Sequence, residues 1–278
     1  MEANFEKKYN PMNFPKLQET YLISDEAKAF YQENRYIKLK NVLGKDEIDY
    51  FNNVFYLEVY RLHEKTKPLA KLDTYRKAFF QIFNLWTENK EVAKLVLSKR
   101  LGQIAADLMG CEKVRIYHDQ ALFKESGGGI TPWHADQYYW PIDTDKTITA
   151  WIPLQETPLE MGPLEFSAKS HQIITGRELE IGDESESKIK ENLRINNFKH
   201  VIEPFDLGEV SFHSGWVFHR AGANQTDQMR KVMTVIYMDA TSKLKNPENK
   251  NQINDWNTWC PGAEIGKEIN SPLNPVVQ

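Results

Sequence analysis

His134, Ala135 and Asp136, joined by a distant His219, are the residues whose types and spacing most directly specify chemistry. Side chains alternate faces along a strand, so His134 and Asp136 would present an imidazole and a carboxylate to one side. A second imidazole would complete two nitrogens and one carboxylate on one face of a metal ion. With the opposite face open, that donor set suits non-haem Fe(II) and dioxygen chemistry. Structural zinc sites instead close four ligands around the metal and favour thiolates. A three-residue motif also arises by accident in many chains, so its surroundings must carry the weight.

The elements that must position these residues can be read from periodicity. Ser24 is placed to cap a helix running to about Asn34, with Asp25 and Glu26 suited to its dipole. Tyr36 to Lys40 alternates as a half-buried strand, and Lys45 to His63 and Val92 to Met109 read as helices, the second ending at Gly110. From Lys113 the texture changes. A long strand to Lys124 is expected, then short apolar runs at 148 to 154, 163 to 167, 201 to 206, 209 to 213, 216 to 221 and 229 to 238. That spacing predicts an antiparallel sandwich or barrel with helices packed on it. The polar stretch Gly182 to Asn197 reads as an exposed insertion with solvated charges.

His213 and His219 compete for the third ligand position. If residues 216 to 221 and 229 to 238 form a hairpin centred between Asn224 and Gln225, His219 lies opposite Arg230. Opposed residues share a face, and an Arg beside a metal-binding His needs an anion between them. A dicarboxylate that chelates metal at one end and forks onto the guanidinium at the other would supply it, which favours His219. On the strand 114 to 124, even positions share a face, so His118, Gln120 and Lys124 are expected to form a binding wall together. Trp133, Tyr138, Tyr139 and Trp140 flank the ligands and are candidates for the substrate pocket. His171 and His213 are expected to have structural roles, and His63, His118 and His200 lack the spacing for ligation.

With 278 residues, 41% hydrophobic and 27% charged, the chain is expected to form one globular domain over 1–278. Its parts would be a mainly helical 1–112, a β-core over 113–240 and an extension over 241–278. Residues 1 to 23 read as an extended arm. A net charge of −4 gives no electrostatic footprint for nucleic acid. The absence of a long apolar run argues against a membrane span and a secretory leader. Two cysteines are too few for a disulfide framework, so a cytoplasmic location is expected. A small-molecule partner fits best.

Taken together, Gln120-x-x-x-Lys124, Thr131-Pro132-Trp133-His134-Ala135-Asp136, Tyr139-Trp140-Pro141, Trp151-Ile152-Pro153-Leu154, Met161-Gly162-Pro163-Leu164, Ser170-His171, and Phe212-His213 through His219, Asn224 and Arg230 resemble the phytanoyl-CoA dioxygenase family of Fe(II)/2-oxoglutarate oxygenases. Tyr36 to Leu43 and Ser271 to Pro275 extend the resemblance over nearly the whole chain. It implies a double-stranded β-helix (jelly roll, cupin-like), mainly β with an N-terminal helical layer. Iron would be held by His134, Asp136 and His219, and the far carboxylate of 2-oxoglutarate by Arg230. Trp151 and Lys124, and less securely Lys77, would lie near that cosubstrate.

Dioxygen would be the second cosubstrate, and the reaction hydroxylation of a small metabolite with release of succinate and CO2. A carboxylate at Asp136 argues against halogenation, because related halogenases carry a small residue there. Many relatives have Ser or Thr two positions after the distal His, where this chain has Ala221. The competing readings are a non-catalytic metal-binding or sensor protein and a metal-dependent isomerase that works without 2-oxoglutarate.

Overall fold

The computed structural model describes residues 17, 19–63 and 80–277. Ser24 accepts from the Ala27 N–H at 3.2 Å and caps α1 (Asp25–Asn34), which Arg35 ends at φ 61° before β1 (Tyr36–Leu39). The chain continues through α2 (Lys45–His63), β2 (Phe80–Phe83), α3 (Leu85–Glu88), α4 (Lys90–Val96) and α5 (Lys99–Met109). The one helix expected over 92 to 109 is thus two. Ser98 leaves the helix and accepts from the Leu101 N–H, and capping by its hydroxyl competes with helix continuation. The apolar spacing hides the break, because Leu95 and Ile104 pack into the same core.

Beyond these lie β3 (Val114–Lys124), β4 (Thr131–His134), β5 (Thr147–Pro153), β6 (Leu164–Ser167), α6 (Asp183–Ile195), β7 (His200–Ile202), β8 (Val210–Ser214), β9 (His219–Ala221), β10 (Arg230–Asp239), α7 (Lys250–Trp259) and β11 (Val276–Val277). A seven-stranded sheet runs β1-β8-β5-β10-β3-β11, with β2 also on β3, and a four-stranded sheet runs β4-β9-β6-β7. The named strand pairs are antiparallel. This is the double-stranded β-helix, two facing sheets that do not close into a barrel.

Alternation sorts the large sheet into two faces. Ile37, Ile148, Ala150, Phe212, Met233 and Val235 turn outward onto the helices, where they meet Phe51, Phe55, Leu95 and Ile104. Trp151 and Val232 turn inward and meet Leu164 and Phe166 of the smaller sheet.

β3 departs from simple alternation in one place. Its register with β10 shifts between Ile236 and Tyr237, so His118 pairs with Ile236, Ile116 with Tyr237, and Tyr117 is the extra residue of a bulge. The Asn274 side-chain amide donates to the carbonyls of Ile116 and Tyr117, both at 3.1 Å, and pins the bulge. Even positions therefore share the inner face from His118 to Lys124, whereas Val114 and Ile116 pack outward among the helices.

The hairpin expected between 216 and 238 does not form. β9 pairs with β4 and β6, β10 pairs with β3 and β5, and residues 222–229 cross between the sheets. Asn224 fixes the crossing: its side-chain amide donates to the carbonyls of Lys124, Glu125 and Gln228. Arg230 consequently opposes Lys124 and not His219.

The insertion expected over 182–197 is the helix α6, with Ser185, Ile189 and Leu193 buried. Its N-terminal carboxylate Glu186 accepts from the Trp133 N–H at 2.9 Å and from Arg220 at 2.6 Å. β4 is an edge strand, and this contact satisfies one of its open donors.

Candidate active site

β4 ends at His134, and Asp136 opens a short 3-10 turn (Asp136–Tyr139), so the two do not share one regular strand. Ala135 between them keeps extended angles, φ −121° and ψ 126°, which preserves the same-side placement. His219 lies directly across from His134 in the β4–β9 pair. One ligand-type atom from each of His134, Asp136 and His219 falls within 4.8 Å of the others.

Each imidazole is aimed by the backbone. His134 Nδ1 is 2.7 Å from the Pro132 carbonyl and His219 Nδ1 3.1 Å from that of Val217, which turns both Nε2 atoms toward Asp136 Oδ1, at 3.4 and 3.5 Å. A carbonyl on Nδ1 fixes the tautomer whose Nε2 lone pair can bind a metal. The other carboxylate oxygen, Oδ2, accepts from Thr149 Oγ1 at 3.1 Å and lies 3.4 Å from His213 Nε2. Burial, followed by the neighbouring His219, pushes the His134 imidazole below its ordinary value and favours the neutral ligand form. Burial alone would raise the Asp136 carboxyl, but the imidazoles around it, His219 first and then His134 and His213, hold it well below the usual carboxylate range. Two imidazoles and an ionised carboxylate fit a borderline divalent ion such as Fe(II).

Arg230 and Lys124 face each other on the inner side of the large sheet, both fully buried. Arg230 donates to the Gly162 carbonyl, its Nε has no partner, and its guanidinium carbon stands 5.6 Å from the Trp151 ring. Gly162, at φ 69°, packs its α-carbon against the backbone of Gly222 and Ala223, an approach that leaves no room for a side chain. Lys124 donates to the carbonyls of Gly129 and Gly222 at 2.7 and 2.8 Å. Burial, then Arg230 and Arg220, pushes its ammonium down to about 6. Among the described residues no carboxylate lies within ion-pair reach of Arg230. A buried guanidinium without an anion is costly, so the pair is suited to receive a carboxylate. Thr131 sits directly opposite Ala221 and brings a hydroxyl residue to that row.

Above the triad opens a cleft of about 370 Å³. His134 and Asp136 lie in its wall with His118, Gln120, Tyr139 and Trp140. Trp133 is elsewhere: it is buried with Ile189, Leu193 and Phe218 against α6. Trp151 packs between the sheets near Arg230. His171 stands outside the cleft lining, and Lys77 lies outside the described residues.

Sequence reasoning passed over Gln81 and Phe83 on β2 and Glu180 before α6, as well as Asn251, Asn254, Asp255 and Trp259 on α7, all of which line the cleft. The α7 residues were readable only as a helical stripe at i, i+3, i+4 and i+8. Tyr138, within the turn that Asp136 opens, anchors that helix, since its carbonyl accepts from Gln252 at 3.0 Å and its hydroxyl from Asn251 at 3.3 Å.

Comparison with known proteins agrees with this geometry. A stretch of 158 residues is 23% identical to a probable alpha-ketoglutarate-dependent hypophosphite dioxygenase from Stutzerimonas stutzeri, over 54% of this chain and 53% of that protein, so the chain spans about half the length of that relative. The non-haem alpha-ketoglutarate-dependent carbocyclase SnoK from nogalamycin biosynthesis superposes with a TM-score of 0.75 at 25% identity, over 92% of this chain and 97% of that one. The epimerase SnoN, in complex with Fe3+, alpha-ketoglutarate and nogalamycin RO, shares the fold with a TM-score of 0.74 at 22% identity, over 91% of this chain and 98% of that one. The family model for phytanoyl-CoA dioxygenase (PhyH) matches residues 31–232, from within α1 into β10, and the chain belongs to that family.

Proposed function

We propose that the protein is an Fe(II)- and 2-oxoglutarate-dependent dioxygenase that hydroxylates an aliphatic C–H bond of a small soluble metabolite. The observation that carries this reading is the convergence of His134, Asp136 and His219, two imidazoles aimed by backbone carbonyls and one ionised carboxylate, below an open cleft. Iron(II), with 2-oxoglutarate and dioxygen as cosubstrates, supplies the oxidation and yields succinate and CO2.

The chain's own residues bind and orient. His134 and His219 offer Nε2 and Asp136 offers Oδ1, while Thr149 and His213 steady Oδ2. The Arg230 guanidinium would take the far carboxylate of 2-oxoglutarate, Lys124 would stand beside it as a hydrogen-bond donor, and Trp151 would wall the space. Thr131 stands in for the hydroxyl that Ala221 lacks. His118, Gln120, Tyr139 and Trp140 place substrate on the cleft side, while the buried sheet-to-sheet core excludes water from the other.

The chain would work as one domain, with the described helices between 25 and 109 backing the sheet, 113–240 holding the reaction centre and the helix Lys250–Trp259 completing the cleft. No described helix is long and apolar enough to cross a membrane. Cys111 and Cys260 are free, which suits a cytoplasmic location.

The test is succinate release from 2-oxoglutarate with Fe(II) and ascorbate. Release that is lost in His134→Ala and Asp136→Ala supports the reading, and its absence from the wild type contradicts it. The 25% identity with a carbocyclase gives a second outcome some support, ring closure at the same site. Product mass separates the two: hydroxylation adds an oxygen atom, whereas ring closure removes two hydrogens.

A further inference from the structure

The wall that α7 adds to the cleft has a chemistry of its own. Trp259 stands 5.0 Å from the Phe83 ring and 4.8 Å from the His118 ring, so three rings from three elements form one aromatic surface. One helical turn before Trp259, Asp255 is only 9% exposed, and its carboxylate is 3.3 Å from the Tyr117 hydroxyl. Among the described residues no lysine or arginine lies within ion-pair reach of it. Burial pushes this carboxyl up to about 7, the response of an acid held away from water without a counter-cation.

His118, 3% exposed, also lines the cleft, and its Nδ1 has no hydrogen-bond partner. Glu180 adds a second carboxylate at the exposed rim, and no described lining residue is a lysine or arginine. Phosphate, carboxylate or nucleotide-bearing substrates would meet Asp255 and Glu180 on this wall, with neutral side chains such as Asn251, Asn254 and Gln120 and no cation to offset them. An ammonium group would find a charge-assisted acceptor and aromatic faces that attract cations.

We propose that the cleft selects a small substrate carrying a protonated amine, whose ammonium docks on Asp255 while Phe83 and Trp259 cover its carbon skeleton. The proposal rests on the oxygenase reading, because it takes the cleft to be the substrate side of that site. Asp255 is then the specificity-determining residue, supported by Glu180 at the entrance.

Quenching of tryptophan fluorescence reads binding directly, since Trp140 and Trp259 line the cleft. Three probes built on one ring are compared on the wild type: cyclohexylamine, cyclohexanol and cyclohexanecarboxylate. The amine is expected to bind about 10-fold tighter than the alcohol, with the carboxylate weakest. In Asp255→Asn that preference falls to about 2-fold or less, and in Glu180→Gln it shrinks by about 2-fold. Equal binding of amine and alcohol by the wild type overturns the proposal, as does a preference for the carboxylate. An unchanged preference in a folded Asp255→Asn also overturns it.

The wild-type comparison needs no variant to fold, and succinate release without added amine tests the oxygenase reading separately. Release without amine preference overturns only the present proposal. Amine preference without release overturns the oxygenase reading and keeps the cation-binding cleft.

Discussion

Arg230 is buried with its fork on one carbonyl and no carboxylate within reach among the described residues, the environment in which a guanidinium most needs an anion. Its pairing with Lys124 sets the two basic side chains side by side on one inward row, at the expense of the lysine's charge. Replacing a buried charge by an apolar side chain of similar size is often tolerated by the fold, so Arg230→Met isolates the binding role. Steady-state kinetics should show the KM for 2-oxoglutarate rising about 10- to 100-fold, with a smaller rise, about 5-fold, in Thr131→Val. Iron affinity should stay unchanged in both. Loss of iron binding along with cosubstrate affinity in Arg230→Met would mark the residue as structural instead. The sequence singled out Arg230 through a neighbour, His219, that the fold does not give it. The turn-like 222 to 227 looks like a hairpin loop, and nothing local reveals that Asn224 ties it to β3 across the sandwich.

Among the elements, the long strands were legible as runs rich in β-branched and apolar residues between turn signals, and Ser24 and Gly110 marked helix ends by their capping chemistry. α6 was not legible. Asp183, Glu184 and Glu186 crowd its first turn, and only Ile189 and Leu193, four apart, record the face it buries. Its contribution is to hold the edge strand that carries His134: Glu186 bridges the Trp133 N–H to Arg220, the neighbour of His219. Glu186→Gln should lower unfolding free energy by about 1–2 kcal/mol in urea and weaken iron binding severalfold, because a partly buried charge-assisted pair is lost. Unchanged stability and unchanged iron affinity would show that α6 only covers the sheet. α7 escaped sequence reading for a different reason: a stripe of Asn, Asp and Trp acquires meaning only when β2 and β3 stand opposite it.

At the scale of the whole molecule, helices seal the outer face of the large sheet, and the chemistry lies between the sheets at one end. The family match stops at residue 232, so the helix that walls the cleft falls outside it and can differ in chemistry while the centre is kept. Burying a lysine beside an arginine has a cost that pH reveals. The Lys124 ammonium, held down at about 6 by burial and by Arg230 and Arg220, ordinarily titrates near 10.5. Between those values the unfolded chain carries a proton that the folded one has released, so this lysine makes stability rise with pH. From about pH 7 to about pH 8.5 the wild type should gain on the order of 1 kcal/mol per unit relative to Lys124→Met. Parallel stability curves for the two proteins would show that the ammonium stays charged in the fold.

Anaerobic titration with Fe(II) and 2-oxoglutarate, followed by the visible charge-transfer absorption of the chelate, tests the three-residue centre most directly. One iron per chain is predicted, with the band appearing only when metal and 2-oxoglutarate are both present, and absent from His219→Ala. A wild type that binds no iron, or a band that persists undiminished in His219→Ala, would contradict the assignment.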